Sequence, residues 1–160
     1  MSKLLRPFRF LAKGFVSEDS PRQLALGLAL GMMLGMVPKG NLTAVILGVL
    51  LFGSRVNLGI GVVAALVFTP ISALLEPVTH YLGNRLLTGD VLEPVWTSFY
   101  NMPFVPWTGF NNTVVLGSLL LGLVLFYPVY RVGLWGFGRY QPWIREKVKR
   151  YKLVRRLFGA

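Results

Sequence analysis

The stretch SPRQLALGLALGMMLGMVPKGN, residues 20–41, decides how the rest of the chain is interpreted. It opens with a helix start signal, because Ser20 can cap the helix, Pro21 suits the first helical position and Gln23 completes a capping box. An apolar run follows and stops at Pro38, which cannot continue a helix. The pattern therefore predicts a helix that begins at about Pro21 and breaks at Pro38.

Glycine recurs every four residues along one face of this predicted helix, at Gly27, Gly31 and Gly35. In lipid, small residues at this spacing let the backbones of two helices approach closely. We therefore expect these glycines to be helix-packing positions. The partner that the spacing suggests is a helix of another protein or a second copy of this chain.

A second apolar run, Leu42–Gly53, follows the break and ends near Arg55. The first run, from Leu24 to Val37, has 14 residues. A helix of that length is about 21 Å long, whereas a bilayer crossing needs about 20 residues. Residues 20–54 are therefore predicted as a short helical hairpin. Either both helices cross a locally thinned membrane, or the hairpin is re-entrant and its tip lies inside the membrane.

Composition extends this interpretation to the whole chain of 160 residues. Hydrophobic residues make up 54% and charged residues only 14%, and the charges are concentrated at the two ends. We predict an all-α integral membrane protein forming a single domain. Its expected parts are an amphipathic cytoplasmic helix (1–19), the hairpin (20–54), a transmembrane helix (56–75), an external interfacial loop (76–112), a second transmembrane helix (113–130) and a basic cytoplasmic tail (131–160).

The distribution of charge predicts the orientation in the membrane. Residues 1–22 carry five Lys or Arg and residues 131–160 carry nine, whereas residues 76–112 carry one basic residue and three acids. Basic residues mark the segments that stay in the cytoplasm. The sequence therefore predicts a multi-pass protein of the bacterial inner membrane with both termini in the cytoplasm.

Several of these motifs together resemble a known family. Ser20-Pro21, the three spaced glycines and the Pro-x-Gly at residues 38–40 are similar to small bacterial inner-membrane proteins grouped under a domain of unknown function. Thr69-Pro70 stands where that family usually has Asn-Pro. The Pro-Lys-Gly-Asn form resembles one subfamily, whose members tend to be encoded beside a larger membrane-anchored envelope protein. The resemblance thus implies such a protein as a partner.

Three residues at the hairpin tip, Lys39, Gly40 and Asn41, form the candidate binding site. If the hairpin is re-entrant, the ammonium of Lys39 and the positive end of the second helix would face the same anion, such as a lipid headgroup phosphate. The alternative is a solvated turn with Lys39 at the outer surface. Pro38 and Pro70 are the predicted helix breaks.

The basic tail is predicted to contact anionic lipid headgroups, since it directly follows a membrane helix. Anchoring of the topology alone is the alternative, and no nucleic-acid-reading motif is present. The predicted lipid-surface contacts are Arg145, Lys147, Lys149, Arg150, Lys152, Arg155 and Arg156. The glycine-rich stretch 133–138 is interpreted as a flexible elbow.

No motif indicates catalysis, and we expect no catalytic residue, cofactor or metal site. The chain has no cysteine, and it lacks a phosphate-binding loop and a GxSxG motif. We predict a non-enzymatic inner-membrane subunit of a bacterial envelope complex, with a link to lipid handling suggested by the family resemblance. The alternatives are a small transporter or channel that uses the broken helix at Pro38–Asn41, and a membrane enzyme relying on Glu76 and His80.

Overall fold

The structure is a computed structural model that describes residues 19–89 and 92–150, with side chains as far as Trp143. All regular structure in this part of the chain is helical, as the sequence predicted. The helices are α1 (Pro21–Met36), α2 (Leu42–Gly53), α3 (Leu58–Leu74), α4 (Glu76–Leu87), α5 (Glu93–Tyr100), a 3-10 helix (Val105–Thr108) and α6 (Thr113–Arg150). The amphipathic helix predicted over residues 1–19 falls outside the described residues, apart from Asp19.

Polar side chains fix the starts of the first three helices. The capping box predicted for α1 is present, with the Gln23 N–H donating to Ser20 Oγ and the Ser20 N–H donating to Gln23 Oε1. Asn41 caps α2 by accepting from the Ala44 N–H at 2.8 Å. Asn57 does the same for α3, accepting from the Ile60 N–H at 2.7 Å. Each cap satisfies a backbone donor that the helix itself leaves without a partner.

The first three helices form an N-shaped path. Gly27 of α1 packs on Asn57 and Gly35 packs on Ala65, so α1 and α3 run parallel. Helix α2 must therefore carry the chain back between their ends. Its last residues are followed by Asn57, whose N–H donates to the Gln23 carbonyl at 3.2 Å. The start of α3 is thus fastened beside the start of α1.

Helix α6 runs in the opposite direction along α1. Gly122 lies against Met33, and Gly133, further along α6, lies against Ala25. The end of α6 therefore returns to the start of α1, where the Gln141 Nε2 donates to the Asp19 carbonyl at 2.9 Å. We call this the basic end of the bundle, because exposed Arg55 and Arg139 lie there. The opposite end, with the α1–α2 turn and the start of α6, is the tip end.

Helix α1 is the centre of the bundle. Ala25, Ala29 and Met32 have no exposed surface, because α1 is covered by α2, α3 and α6 on its different sides. Its C-terminal half forms the main core with side chains from α2 and α6. The fully or nearly buried residues of that core are Met32, Met33, Met36, Val37, Ala44, Leu47 and Val115.

The structure corrects the sequence analysis over residues 76–112, where a loop was expected. Helices α4 and α5 and the 3-10 helix occupy most of this segment. Both α-helices carry proline in the first turn, at Pro77 and Pro94. Proline there removes no helical hydrogen bond, so it starts these helices rather than preventing them.

Two predicted breaks are also absent. Helix α3 runs through Pro70, and the hydroxyl of Thr69 donates to the Ala65 carbonyl at 2.8 Å beside it. The sharp bend of this segment, 76°, lies after Pro70, at the junction of α3 and α4. Helix α6 likewise continues past residue 130 and through the glycines 133–138, where an elbow was expected.

Length and composition single out one helix of the described residues as able to cross a membrane by itself. This is the part of α6 from Thr113 to Trp143, with 31 residues. Helices α3 and α4 pass the same test only as a bent pair, and α2 is a shorter apolar helix.

Candidate functional site: a hairpin tip and an apolar groove

Lys39, the main candidate from the sequence, reaches back to the end of α1. Its Nζ donates to the carbonyls of Leu34, of Val37 at 2.7 Å and of Gly35 at 3.3 Å. These are carbonyls of the last helical turn and of the C-cap residue Val37, and a cation there also interacts favourably with the helix dipole. Three acceptors for three N–H groups give the ammonium a structural role. The desolvation that accompanies this contact lowers the pKa of Lys39.

Gly40 and Asn41 complete the turn. Gly40 has φ +91°, a left-handed conformation that suits glycine. The side-chain amide of Asn41 donates to the Pro38 carbonyl at 2.8 Å, while its oxygen caps α2. Lys39, Gly40 and Asn41 are thus brought together as a tight turn that serves α1 and α2. The anion site predicted for them stays a prediction.

The turn lies level with the start of α6. The hydroxyl of Thr43, the second residue of α2, donates to the Thr108 carbonyl at 2.8 Å, and both residues are buried. A Cβ on Gly109 would lie 3.3 Å from the Cβ of Asn41. The hairpin therefore extends along α6 to the beginning of that helix, and Thr108 and Gly109 pack beside its tip.

The spaced glycines of α1 face another helix of the same chain. A Cβ added to Gly27 would lie 2.5 Å from the Asn57 carbonyl oxygen, and one added to Gly35 would lie 2.7 Å from that of Ala65. Gly31 is in equally close contact with Gly61. The expectation that this face meets a partner protein or a second copy is corrected by this packing, since α3 covers the face.

A second close contact, which the sequence analysis missed, joins α4 to α6. A Cβ on Gly83 would overlap the Thr113 carbonyl, and one on Gly117 would overlap the Thr79 carbonyl. His80 lies at the same interface, with its Nδ1 2.6 Å from the Thr113 Oγ1. The sequence signal was the pair Gly83 and Gly117, and Gly83 lies in the segment that was interpreted as a loop.

The contact of His80 with Thr113 joins α4 to the first residue of α6, so the histidine contributes to the packing of these two helices. Helix α4 carries both Glu76 and His80, which were considered together as a catalytic pair. Within residues 19–89 and 92–143, no group of three or more His, Asp or Glu side chains is arranged to hold a metal ion.

A groove of about 440 Å³ runs between α2 and α6 and has α1 as its floor. Its floor and walls are bulky apolar side chains, among them Met33, Leu47 and Leu119. The polar side chain in its lining is Thr43, whose hydroxyl is already bonded to Thr108. Phe110 bounds the groove at the tip end. The volume is that of a small-molecule site, and the groove chemistry suits hydrocarbon.

Aromatic rings project from the tip end. Phe104 has φ +70°, which is unusual for a residue with a side chain, and its ring packs edge-on to Trp107 at 5.7 Å. Both rings are about two-thirds exposed. Behind them, Phe99 stacks on Phe110 with ring centroids 6.1 Å apart. The strained backbone turns two large apolar rings away from the bundle.

The structure describes only part of the basic tail, in which the lipid contacts were predicted. The backbones of Arg145, Lys147, Lys149 and Arg150 belong to α6, but their side chains lie outside the described part. Lys152, Arg155 and Arg156 are outside it altogether. Their contact with anionic headgroups stays a prediction.

Comparison with known proteins identifies the family. A family described as "Uncharacterized protein conserved in bacteria" (DUF2062) matches residues 5–145. A protein of Treponema pallidum (strain Nichols), described as "Uncharacterized protein", is 26% identical over 145 residues, which cover 91% of this chain and 90% of its own. No solved structure matches. The Pro-Lys-Gly-Asn subfamily stays a prediction. Because the family match covers most of its length, this chain belongs to the conserved bacterial family DUF2062.

Proposed function

We propose that this chain is a non-enzymatic integral subunit of an envelope complex in the bacterial cytoplasmic membrane. The observation that carries the proposal is the outer face of α2, where Val45, Val49 and Phe52 are 58%, 65% and 60% exposed. Large apolar side chains in this density are costly in water and stable in hydrocarbon. Gly48 lies among them, and an added Cβ there would meet nothing within 4 Å.

Gly48 is the reason for expecting a protein partner at this face. In lipid, a helix offers a small residue where another helix packs closely. The glycines of α1 are covered by α3, whereas Gly48 is uncovered and flanked by exposed apolar side chains. The partner in this proposal is the membrane-anchored envelope protein implied by the family resemblance, or a second copy. Phe104 and Trp107 offer it a further contact outside the membrane.

The proposed orientation has four crossings, by α1, α2, α3 and α6. The level of the hairpin tip supports four crossings over a re-entrant hairpin, because the tip reaches the start of α6. The basic end then faces the cytoplasm, in agreement with the charges. Helices α1 and α2 are about 24 Å and 18 Å long, so the membrane must be thinned around them or α1 must be shielded by protein.

A channel or transporter through the broken helix is less well supported. Such a path needs polar groups along it, whereas the groove is apolar and the donors of Lys39 and Thr43 are bonded within the chain. Purified protein in liposomes that moved ions or solutes would reinstate this alternative.

The complex is tested by affinity purification from native membranes. We expect wild-type protein to carry a larger envelope protein or a second copy with it. Gly48→Leu should reduce that association about tenfold or more, because the added side chain keeps the partner helix away. The matched control is Leu66→Phe on α3, which also enlarges an exposed apolar position and should leave the association unchanged. A wild-type protein that purifies as a lone monomer would refute the proposal.

A further inference from the structure

We infer that the groove between α2 and α6 holds one acyl chain of an anionic phospholipid, with its headgroup at the basic end. The inference rests on the proposed placement of the bundle in the membrane. It adds a ligand and an orientation to that placement.

The first step is that the groove must be filled when the bundle lies in a bilayer. Its mouth is formed by Ile46, Leu50 and Leu123, which are about half exposed. It therefore opens sideways, toward the surroundings of α2 and α6. Water has no polar side chain to bond there beyond Thr43, whose hydroxyl donates to Thr108. An empty groove would forfeit the dispersion contacts of its lining, so hydrocarbon is the natural occupant.

The second step distinguishes an acyl chain from a partner helix. Helices that dock in lipid approach over small residues, namely glycine, alanine, serine or threonine. The groove lining has one of these, Thr43, whose hydroxyl is already bonded to Thr108, and otherwise consists of Leu, Met, Ile and Phe. A rigid helix would rest on the rims, whereas a flexible chain can follow an irregular floor such as Met33 and Leu47. Gly48, the small residue of α2 on which a partner helix could pack, does not line the groove.

The third step orients the lipid. Helices α2 and α6 both run from the tip end to the basic end, and the groove is bounded at the tip end by Phe110. The last lining residues are Leu50 on α2 and Phe126 on α6. Exposed Arg55, in the connection just after α2, and exposed Arg131, on α6, come after these residues toward the basic end.

These two arginines favour an anionic headgroup. Arg55 directly follows the end of α2, and its side chain is long enough to reach a headgroup phosphate beyond the groove. Arg131 lies on the outer face of α6, two helical turns after Val124, and adds positive charge at the same end of the bundle. The acid described at this end is Asp19, which accepts from the Asn57 amide at 2.6 Å. Positive charge therefore prevails where the headgroup would lie, which suits phosphatidylglycerol better than phosphatidylcholine.

The test uses the full chain in vesicles of equal parts phosphatidylglycerol and phosphatidylcholine, followed by mild detergent extraction and native mass spectrometry. We expect one retained phosphatidylglycerol per chain. Leu123→Trp, which fills the mouth from α6, should lower retention about tenfold. Ile46→Trp should do the same from the α2 side. The matched control is Val124→Trp, next to Leu123 but outside the groove and 68% exposed, which should retain the lipid.

A second set of variants tests the headgroup by replacing both arginines. Arg55→Gln with Arg131→Gln should keep a bound lipid but lose the preference for phosphatidylglycerol, whereas Arg139→Gln should keep it. Equal retention in Leu123→Trp, Ile46→Trp and Val124→Trp would overturn the inference, as would a second polypeptide in place of the lipid. These results are separate from the copurification test, because a wild-type protein that carries its partner but retains no lipid refutes the groove site and leaves the complex intact.

Discussion

Gly31 of α1 lies against the backbone of Gly61 of α3, with no room for a side chain between them. A methyl group on Gly31 would overlap the Gly61 carbonyl and crowd Ala64, whose Cβ it would approach to 2.9 Å. Neither backbone can yield locally, so the two helices would have to separate. This contact makes the central interface of the bundle intolerant of the smallest possible enlargement.

Gly31→Ala should therefore destabilise the protein by about 1–3 kcal/mol, the usual cost of overpacking. The measurement is the free energy of unfolding in detergent micelles titrated with a denaturing detergent. Gly48→Ala is the control, because its Cβ would enter open space. That change should be neutral or stabilising by up to about 1 kcal/mol through helix propensity. Equal effects of the two changes would contradict the packing described.

Gly117→Ala should loosen α4 from α6, since the added methyl would overlap the Thr79 carbonyl. We expect faster hydrogen exchange in α4, with the exchange of α1 little changed. Gly136→Ala, on the same helix but with nothing within 4 Å of the new Cβ, provides the comparison. Unchanged exchange of α4 in Gly117→Ala would argue against the α4–α6 contact.

Asn57 joins three parts of the basic end. Its side chain caps α3 and donates to the Asp19 carboxylate at 2.6 Å, and its backbone N–H donates to the Gln23 carbonyl. Asn57→Ala should cost about 1–2 kcal/mol from loss of the cap alone. Asn57→Ser, which retains a capping oxygen, should recover part of that loss. Thermal unfolding in micelles measures both changes. An Asn57→Ala variant that unfolds at the same temperature as the wild type would contradict the cap.

The proposed orientation can be tested with cysteines, since the chain has none of its own. In intact cells, a membrane-impermeant thiol reagent should label Lys39→Cys from outside. Arg55→Cys should react only after the membrane is permeabilised. Slow labelling at position 39 in both states would favour a re-entrant hairpin with a buried tip.

Lys39 should behave as a cap for the end of α1. Lys39→Met removes the bonds to the Leu34, Gly35 and Val37 carbonyls and should cost about 0.5–1 kcal/mol, the size of a charge–dipole interaction at a helix end. Retention of phosphatidylglycerol should be unchanged in the same native mass spectra. Loss of that lipid in Lys39→Met would instead support the anion site predicted at the hairpin tip.

Local signals in the sequence were reliable where they concern a single helix. Ser20 with Gln23 predicted the capping box, because such bonds form between neighbours in the chain. The family resemblance was confirmed at the level of the family. Pro77 and Pro94, in the segment predicted as a loop, do not distinguish the two structures, since a proline is compatible with both a loop and a first helical turn.

The choice of partner for each helix face could not be predicted in the same way. Gly27, Gly31 and Gly35 indicate that something approaches α1 closely, but the spacing is the same for a foreign helix and for α3. The continuity of α6 is a tertiary effect as well. Gly133 costs about 1 kcal/mol in helix propensity, yet it allows α6 to pack against Ala25 and Leu28.

The most enclosed helix of this bundle is also the first of the six to leave the ribosome, and the helix that closes over it is the last. Until Thr113–Trp143 has been synthesised, Met33 and Ala25 have no α6 to shelter them. The packing of α1 is therefore completed only after the last helix has been synthesised, and a chain that ends before Thr113 leaves this side of α1 uncovered.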